Sequence, residues 1–384
     1  MSETLRILFV TDLYDPYIGG LTTHQRGLAR ELVKRGHAVR VLTMRLPGTK
    51  ESEIIDGVEI QRLRVHPAVR RFTFGMTSPS AVAKALRFFD LVQGPTFVAA
   101  VPIGLATQLA GKPSILTVLE VFGQSWSELY PRKPVTSLAY RGAEHLLLRL
   151  GFTRYVAISE HTQKALLAVG IDSHRCDRIY PGIDYEFWTS DAAHPDLFRD
   201  RNHIGNRFLY MSYGRAGVSK GVEHLLDAAE LVARALPDSR LLLVLNEGET
   251  YDTILKRIMA SVLLRGHVML RSKLEHSELR DAVAAANCIV VPSVTEGFGY
   301  SVAEACALGT PVIASNTASI PEVVSGRHLL VPPRNSQAIA NAILRGSDGD
   351  WLVAPPKRFT WKVATDAYEA CFRKALVESG WRFN

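Results

Sequence analysis

Residues 292–312 read PSVTEGFGYSVAEACALGTPV, and this stretch gives the strongest indication of the fold. It follows the short apolar run 288–291, which is typical of a buried strand. The Gly-Phe-Gly sequence at 297–299 predicts a tight loop, and the residues after it predict a helix that ends near Gly309. Residues 311–314 predict the next strand. This order forms a βαβ unit, which indicates a parallel sheet covered by helices.

The same alternation of short apolar runs and longer helical patterns extends along the whole chain. Further strands are predicted at residues 6–10, 38–43, 91–92, 114–118, 154–158, 208–212, 240–245 and 267–270. We therefore predict an α/β fold with two doubly wound, Rossmann-like domains, residues 1–186 and 187–358. Residues 359–384 are predicted to form a C-terminal helix that packs back on the first domain.

Composition excludes several classes of protein. The 384 residues are 47% hydrophobic and 22% charged, which is ordinary for a globular chain and excludes a mainly disordered or fibrous one. The net charge of +7 lies mostly in residues 1–186, which hold 23 basic and 17 acidic side chains. That excess is small and no nucleic-acid-binding motif accompanies it, so we expect no nucleic-acid partner. The four cysteines have no C-x-x-C spacing, which weakens a zinc or dithiol redox interpretation. Four scattered cysteines in a chain of this length predict reduced thiols in a cytoplasmic protein.

A basic, glycine-rich loop follows the predicted strand at 208–212. Arg215 and Lys220 lie among three glycines in the sequence GRAGVSKG, residues 214–221. An arginine binds phosphate through two parallel hydrogen bonds, and a lysine adds a compact charge, so a diphosphate is the natural ligand. The loop lacks the spacing of a P-loop. The alternative is a surface loop whose cations are solvated.

A second glycine loop, with Gly19 and Gly20, lies between the first strand and the first helix. Glycines there let backbone N–H groups approach a ligand closely, and a helix N-terminus favours anions. The loop does not match G-x-G-x-x-G, which weakens a nicotinamide-dinucleotide interpretation. A simple tight turn is the alternative.

Two glutamates lie within the stretch 292–312. Glu296 is predicted to lie in the loop and Glu304 about one turn inside the following helix. A carboxylate accepts hydrogen bonds and suits paired sugar hydroxyls. The alternative is that surface glutamates compensate the positive end of the helix.

The sequence E-G-F-G-x-S-x-x-E-A, which starts at Glu296, resembles the E-x7-E motif of retaining glycosyltransferases of family 4, which have the GT-B fold. Other family features agree along nearly the whole length: Gly19-Gly20, Arg35-Gly36-His37, Pro181-Gly182-Ile183-Asp184, and Gly214-Arg215 with Lys220-Gly221. This resemblance implies two Rossmann-like domains that face a cleft. It also implies transfer of a hexose from a nucleotide diphosphate sugar to a glycan, lipid-linked or small-molecule acceptor.

The resemblance assigns roles to individual residues. It implies that Glu296 holds donor-sugar hydroxyls and that Arg215 and Lys220 neutralise the departing diphosphate, which makes these three the predicted catalytic residues. For donor binding, it implies that Glu304 accepts hydrogen bonds from the ribose. It also implies that backbone groups contact the sugar and the phosphates, at Gly19, Gly20, Gly297, Phe298 and Gly299. Because two cations supply the charge, no metal and no cofactor are expected.

One position departs from the family. The family often has a histidine after the predicted strand 114–118, and this chain has Leu119 there. A leucine side chain makes no hydrogen bond, which leaves open a catalytically weak nucleotide-sugar-binding relative. A sugar-nucleotide epimerase of the same fold is a further alternative, independent of Leu119.

The first domain also carries candidate acceptor and membrane surfaces. Tyr14, Tyr17, Phe122 and Trp126 are candidates for an aromatic acceptor platform, although core packing would explain them as well. Arg132-Lys133 and the leucine-rich run 140–150 combine basic and apolar residues, which is typical of peripheral contact with an anionic membrane, here the inner membrane face. The alternative is a helix that faces the core.

Overall fold

The computed structural model describes residues 4–17, 19–131, 133–246 and 248–380, without the side chains of residues 67 and 72. The chain forms two compact units. Unit 1 comprises residues 1–182 with residues 359–384, and unit 2 comprises residues 183–358. The predicted C-terminal residues 381–384 and the predicted membrane residue Arg132 lie outside the described residues.

Unit 1 contains, over its described residues, one eight-stranded sheet. Its strands are β1 (Arg6–Val10), β2 (Ala38–Met44), β3 (Ser52–Ile55), β4 (Val58–Leu63), β5 (Leu91–Pro95), β6 (Ser114–Val118), β7 (Arg154–Ala157) and β8 (Cys176–Arg178). The order is β3-β4-β2-β1-β5-β6-β7-β8, and the neighbours pair in parallel except for β3 with β4. Its first six helices are α1 (Gly20–Lys34), α2 (Arg70–Leu86), α3 (Ala100–Ala110), α4 (Ser125–Leu129), α5 (Pro134–Leu148) and α6 (Glu160–Ala168).

Unit 2 has a seven-stranded sheet over its described residues. The strands are β9 (Leu209–Arg215), β10 (Arg240–Asn246), β11 (Val268–Arg271), β12 (Cys288–Val291), β13 (Val312–Ser315), β14 (Gly326–Val331) and β15 (Leu352–Ala354), in the order β11-β10-β9-β12-β13-β14-β15. Only β15 runs antiparallel to its neighbour among these strands. The helices are α7 (Pro195–Arg201), α8 (Val222–Ala235), α9 (Tyr251–Ala260), α10 (Val262–His267), α11 (His276–Ala285), α12 (Tyr300–Leu308), α13 (Ile320–Val323) and α14 (Ser336–Ser347).

The central strands of each sheet are buried on both faces, as a parallel sheet covered by helices requires. In unit 1 the central strand β1 is buried along Ile7–Val10, and residues 7 and 9 face one core cluster while residues 8 and 10 face another. In unit 2 the strand β12 is buried throughout and lies between β9 and β13. The α/β architecture predicted from the sequence is therefore confirmed.

The last helix, α15 (Trp361–Glu378), belongs to unit 1 although it comes from the end of the chain. Its buried side chains join the core cluster of β1 and α1. Trp361 packs so tightly that a Cβ atom added to Gly27 would lie 2.0 Å from its ring, and one added to Gly182 would lie 2.4 Å away. At the other end of the helix, Glu378 pairs with the buried Arg154 of β7. The helix is thus an integral layer of unit 1.

Candidate functional site

In unit 2, the loop that follows β9 places a lysine opposite a glutamate. Gly221 has a φ of +62°, and a Cβ atom there would lie 2.2 Å from the carbonyl oxygen of Pro292. Only glycine therefore allows this loop to approach the end of β12 so closely. The approach brings Nζ of Lys220 to 2.6 Å from Oε2 of Glu296.

The loop that carries Glu296 is held by several hydrogen bonds. Ser293 donates its hydroxyl to Oε2 of Glu296 at 3.1 Å. The backbone carbonyl of Glu296 accepts from the hydroxyl of Ser319 at 2.8 Å, and the N–H of Val294 donates to the carbonyl of Ser219 at 2.8 Å. These bonds fix the carboxylate before any ligand binds.

A small pocket of about 300 Å³, counting its solvent-open space, lies at this end of the sheet. The polar side chains among its lining residues are Ser212, Tyr213, Arg215, Lys220, Ser293 and Ser301. Arg215 is exposed at the last position of β9. The two cations predicted from the sequence thus line one pocket, at the carboxyl edge of the strands where ligands bind in open α/β sheets.

The loop 297–299 leads directly into α12. Gly299 is the N-cap residue with a φ of +95°, a conformation that favours glycine. The N-cap makes no side-chain hydrogen bond, and the described first turn contains no acidic residue. The positive end of the helix is therefore open to an anion from outside the chain. The side chain of Phe298 is buried, so any contact with a ligand there falls to the backbone.

Glu304 lies on α12 but is more deeply buried than Glu296 and has a different partner. It is 9% exposed, and the hydroxyl of Tyr213 donates to its Oε2 at 2.8 Å. Burial raises the pKa of Glu304 to about 8, because the charged form loses its hydration, and the Tyr213 hydrogen bond opposes part of that rise. At neutral pH this carboxyl group is thus mostly protonated. It still offers oxygen lone pairs to a donor hydroxyl.

Two residues that hold the glutamates, Tyr213 and Ser293, were not predicted from the sequence. Both are polar side chains near the carboxyl end of a strand: Tyr213 lies two residues before the end of β9, and Ser293 lies two residues after the end of β12. That position was the available signal, because polar residues after parallel strands face the ligand-binding edge of a sheet.

In unit 1, Gly19 and Gly20 form the N-terminal end of α1. Gly19 is the N-cap residue in an extended conformation, and Gly20 is the first helical residue. The cap makes no side-chain hydrogen bond, while the carbonyl of Gly19 accepts from the hydroxyl of Thr22 at 2.9 Å. The neighbouring Ile18 is outside the described residues. The geometry leaves a helix N-terminus that favours an anion.

Polar groups on α1 and β5 belong to a buried network rather than to a surface site. His24 is 1% exposed and its Nε2 lies 3.0 Å from the hydroxyl of Tyr368 on α15. Burial lowers the pKa of His24 to about 4, so the ring is neutral at physiological pH. Gln93 donates to Gln25 at 2.7 Å and accepts from Thr117 at 3.2 Å. Trp361 and Tyr368 of α15 pack against the His24 ring, so the ring does not reach the surface.

The aromatic residues after β5 and β6 form what we call the aromatic cluster: Phe97, Phe122, Trp126, Tyr130 and Tyr140. The rings of Phe122 and Trp126 lie 4.5 Å apart and those of Trp126 and Tyr140 lie 4.9 Å apart, between centroids. Tyr14, predicted to belong to the same platform, is instead buried in the core of β1 and α1. That part of the predicted platform is wrong, because the Tyr14 ring fills the core.

A buried carboxylate organises the loop beneath the aromatic cluster. Glu144 of α5 accepts from the backbone N–H groups of Phe122 and Gly123 at 2.9 and 2.7 Å and from Nε1 of Trp126 at 3.2 Å. Burial raises the pKa of Glu144, and these three hydrogen bonds oppose that rise. Leu119, on the same connection, donates its backbone N–H to the hydroxyl of Thr96 at 3.3 Å.

Metal-binding clusters and membrane-spanning helices are absent from the described residues. In the part of the chain that the structure describes, no three or more His, Cys, Asp or Glu side chains come together as a metal-binding group. Across the same residues, every helix is too short or too polar to cross a bilayer.

Similarity to known families extends over both units. The family model "Glycosyltransferase Family 4" matches residues 18–187, and the model "Glycosyl transferases group 1" matches residues 194–350. The first match includes the Gly19-Gly20 loop, and the second includes the loops that carry Lys220 and Glu296.

Named relatives align over most of the chain. A GDP-mannose-dependent α-(1-6)-phosphatidylinositol monomannoside mannosyltransferase from Mycolicibacterium smegmatis is 26% identical over 92% of this chain and 90% of its own. A D-inositol 3-phosphate glycosyltransferase from Mycobacteroides abscessus is 24% identical over 94% of this chain and 85% of its own.

Solved structures agree in fold. The sucrose-phosphate synthase of Thermosynechococcus elongatus superposes with a TM-score of 0.76 at 21% identity, over 98% of this chain and 97% of that chain. The Anabaena protein HepE, solved in complex with UDP-glucose, gives a TM-score of 0.72 at 19% identity over the same shares. These matches confirm the GT-B fold predicted from the sequence. With the two family models, they show that the chain belongs to the GT-B glycosyltransferases, with a family 4 domain followed by a group 1 domain.

Proposed function

We propose that this glycosyltransferase moves a hexose from a nucleotide diphosphate sugar to an acceptor with retention of anomeric configuration. The observation that carries the proposal is the pairing of Lys220 with Glu296 beside Arg215, at the carboxyl edge of the unit 2 sheet. A diphosphate needs fixed cations, and a sugar needs a fixed hydrogen-bond acceptor. Both are placed here by the loops that follow neighbouring strands.

The donor is proposed to bind through the following contacts. Glu304 accepts a hydrogen bond from the ribose, and Glu296 accepts from hydroxyls of the sugar. Backbone N–H groups of the loop 297–299 orient sugar and phosphate at the positive end of α12. We propose that the backbone at Gly19 and Gly20, at the N-terminus of α1, likewise binds a phosphate oxygen.

Catalysis is proposed to be electrostatic and metal-independent. As the bond between sugar and phosphate breaks, negative charge collects on the departing diphosphate. Arg215 and Lys220 supply two positive charges, which stabilise that negative charge without a bound metal ion. The acceptor hydroxyl forms the new bond to the anomeric carbon, and its proton passes to a phosphate oxygen of the leaving diphosphate.

The acceptor is proposed to be a glycan, a lipid-linked molecule or a small molecule that contacts the aromatic cluster of unit 1. Aromatic faces stack on sugar rings and pack against apolar chains. Glu144 holds Trp126 and the backbone at Phe122 in place, so the platform exists before the acceptor arrives. The relatives named above act on inositol-containing acceptors, and one of these acceptors is a phospholipid.

We further propose peripheral contact between α5 and an anionic membrane surface. Only three side chains of this fifteen-residue helix are buried, and the exposed ones include Val135, Leu138 and Leu146, each at least 70% exposed. Lys133, Arg141 and Arg149 lie on or beside the same helix and are exposed. Apolar and basic side chains on one exposed helix are typical of an interfacial segment. A cytoplasmic location at the inner membrane face is proposed with it, supported by four free cysteines.

The experiment is a screen of UDP-, GDP- and ADP-sugars by thermal stability, followed by product analysis with the donor that binds. A donor that binds the folded chain raises the melting temperature, and the rise grows with the logarithm of its free concentration relative to its Kd. We expect transfer to an acceptor or slow donor hydrolysis, with the anomeric configuration of the product retained in NMR spectra. Donor binding without any product would favour the catalytically weak relative that Leu119 suggests, and interconversion of donor sugars would favour an epimerase.

A further inference from the structure

A second basic pocket lies in unit 1, apart from the glycine loop and the aromatic cluster. It is an open depression of about 1020 Å³, counting its solvent-open space. Three arginines line it, Arg45, Arg64 and Arg70, together with Val65 and the loop 46–49.

The sheet itself brings two of these arginines together. β2 and β4 are neighbouring parallel strands in which Met44 pairs with Leu63. The next residues, Arg45 and Arg64, therefore leave the sheet side by side, and the N–H of Arg45 donates to the carbonyl of Leu63 at 2.8 Å. This is the carboxyl edge of the sheet, where open α/β sheets bind ligands. Arg70 enters from the first position of α2.

One carboxylate oxygen shows how an anion fits between these side chains. Oε2 of Glu51 lies 3.7 Å from Nη1 of Arg45 and 3.4 Å from Nη2 of Arg64. The same oxygen thus reaches both guanidinium groups. Arg45 is further oriented by its Nε, which donates to the carbonyl of Thr49 at 3.2 Å.

Charge in the pocket is unbalanced. Glu51 supplies one negative charge against the three arginines that line the pocket, and its side chain is 64% exposed. An ion pair this exposed contributes little to stability, so the Glu51 side chain can leave the arginines and become solvated at a small cost in free energy. Like charges held side by side on neighbouring strands repel each other unless an anion lies between them.

We propose that the pocket of Arg45, Arg64 and Arg70 binds a phosphate group. Guanidinium groups match the geometry of phosphate oxygens and bind them through paired hydrogen bonds. The phosphate enters in the place that the Glu51 oxygen occupies. Its use as a subsite for a phosphate-bearing acceptor rests on the proposed function, whereas phosphate binding does not.

The test uses the full chain and two sources of phosphate. The soluble probe is glycerol 3-phosphate, compared with glycerol by thermal stability. The lipid probe is a vesicle with phosphatidic acid in phosphatidylcholine, compared with phosphatidylcholine alone. The Arg45→Ala/Arg64→Ala variant should bind at least one phosphate probe about tenfold more weakly than the wild type. Its matched control is Lys84→Ala/Arg87→Ala, which removes two exposed charges at the C-terminal end of α2 in the same unit.

The outcomes separate the sources and the proposals. If the variant loses binding of glycerol 3-phosphate alone, the ligand is a soluble phosphate ester. If it loses binding of the phosphatidic acid vesicle alone, the ligand is a lipid headgroup. Either result supports the site. Equal binding by wild type and variant, or an equal loss in the control, overturns it. Nucleotide-sugar binding is measured on the same variant, and we expect it to be unchanged. If no nucleotide sugar binds the wild type but phosphate binding depends on Arg45 and Arg64, the proposed function is contradicted and the phosphate site is still supported.

Discussion

Nζ of Lys220 lies 2.6 Å from Oε2 of Glu296, and the same oxygen accepts the hydroxyl of Ser293. The two side chains are 31% and 13% exposed, so solvent screens the pair only in part. In the ligand-free chain the cation and the carboxylate neutralise each other. Under the proposed function, an arriving donor would replace this arrangement, with its phosphate beside the lysine and its sugar hydroxyls beside the glutamate. We therefore propose that the pair is a preformed receptor for the two halves of one donor molecule.

Lys220→Ala is expected to lower the turnover of the donor at least tenfold. The substitution removes a fixed cation from the departing diphosphate, and tenfold corresponds to about 1.4 kcal/mol in the barrier. It also leaves Glu296 without its cation, so kcat and KM are both measured. Donor hydrolysis gives the rate without an acceptor.

Lys256→Ala serves as the control for that change. Lys256 is an exposed residue of α9 in the same unit, and its loss should leave turnover unchanged. Turnover of the Lys220→Ala variant within a factor of two of the wild type would contradict the proposed role.

Glu304 predicts a pH dependence of stability. Its pKa of about 8 in the fold lies above its ordinary value of 4.5, so the folded chain holds this proton more tightly than the unfolded chain. The stability gained from the proton is complete below about pH 4.5 and is lost as the pH rises through about 8. Glu304→Gln keeps the shape without the titration. We expect its free energy of unfolding to fall less between pH 6 and pH 8.5 than that of the wild type, as measured by urea denaturation.

The partner residue gives an independent check on the same prediction. The Tyr213 hydrogen bond lowers the pKa of Glu304. In the Tyr213→Phe variant, the free energy of unfolding should therefore decline at a higher pH than in the wild type. Parallel pH profiles for wild type and Glu304→Gln would show that the carboxyl group does not titrate in this range.

Trp361→Ala is expected to destabilise unit 1 by about 3–5 kcal/mol, because removal of a packed aromatic side chain leaves a cavity. The ring is 8% exposed and lies against Gly27 and Gly182. Circular dichroism during urea denaturation measures the change. The neighbouring Lys362 is 80% exposed and pairs with Asp366, so Lys362→Ala should cost less than about 0.5 kcal/mol. Similar losses for both variants would contradict the packing role.

Leu138→Ser/Leu146→Ser should weaken binding to vesicles of anionic lipid by at least about tenfold, because each leucine contributes burial of apolar area at the interface. Both residues are 70% exposed on α5, so the fold should tolerate the change. Co-sedimentation with phosphatidylglycerol vesicles measures it. The control is Val353→Ser, because Val353 is also apolar and 76% exposed but lies in unit 2. Unchanged sedimentation of the α5 variant would remove the helix from any membrane contact.

The strands that are buried on both faces were predictable because such strands are continuous apolar runs. β1, β6 and β12 have the predicted bounds, whereas β9 begins one residue later and ends three residues later than predicted, at Arg215. Five strands were missed: β3, β4, β8, β14 and β15. Their residues are mostly exposed or half-buried, so they do not form the continuous apolar runs that indicate a buried strand. Pairing with the neighbouring strand, which the sequence does not display, makes them strands.

The candidate site was predictable as a set of loops but not as a set of contacts. Glycines and cations after strands indicated the loops of Lys220 and Glu296, and the roles of these residues stay predictions. The 2.8 Å bond from Tyr213 to Glu304 joins positions 91 residues apart. This bond depends on where α12 lies relative to β9 in the fold. The spacing of residues along the sequence does not reveal that position. Glu144 was missed for the same reason, since nothing near it in sequence marks it as the acceptor of three hydrogen bonds.

The position of α15 has a consequence for how the protein is made. Its buried residues complete the core of unit 1, yet the ribosome adds them only after the whole of unit 2. While unit 2 is being translated, unit 1 lacks the Trp361 ring that packs against Gly27 and Gly182, and it lacks Tyr368, which contacts His24. Unit 1 therefore cannot complete its core until α15 has been translated, and a premature stop codon shortly after residue 358 would leave that core uncovered on the α15 side.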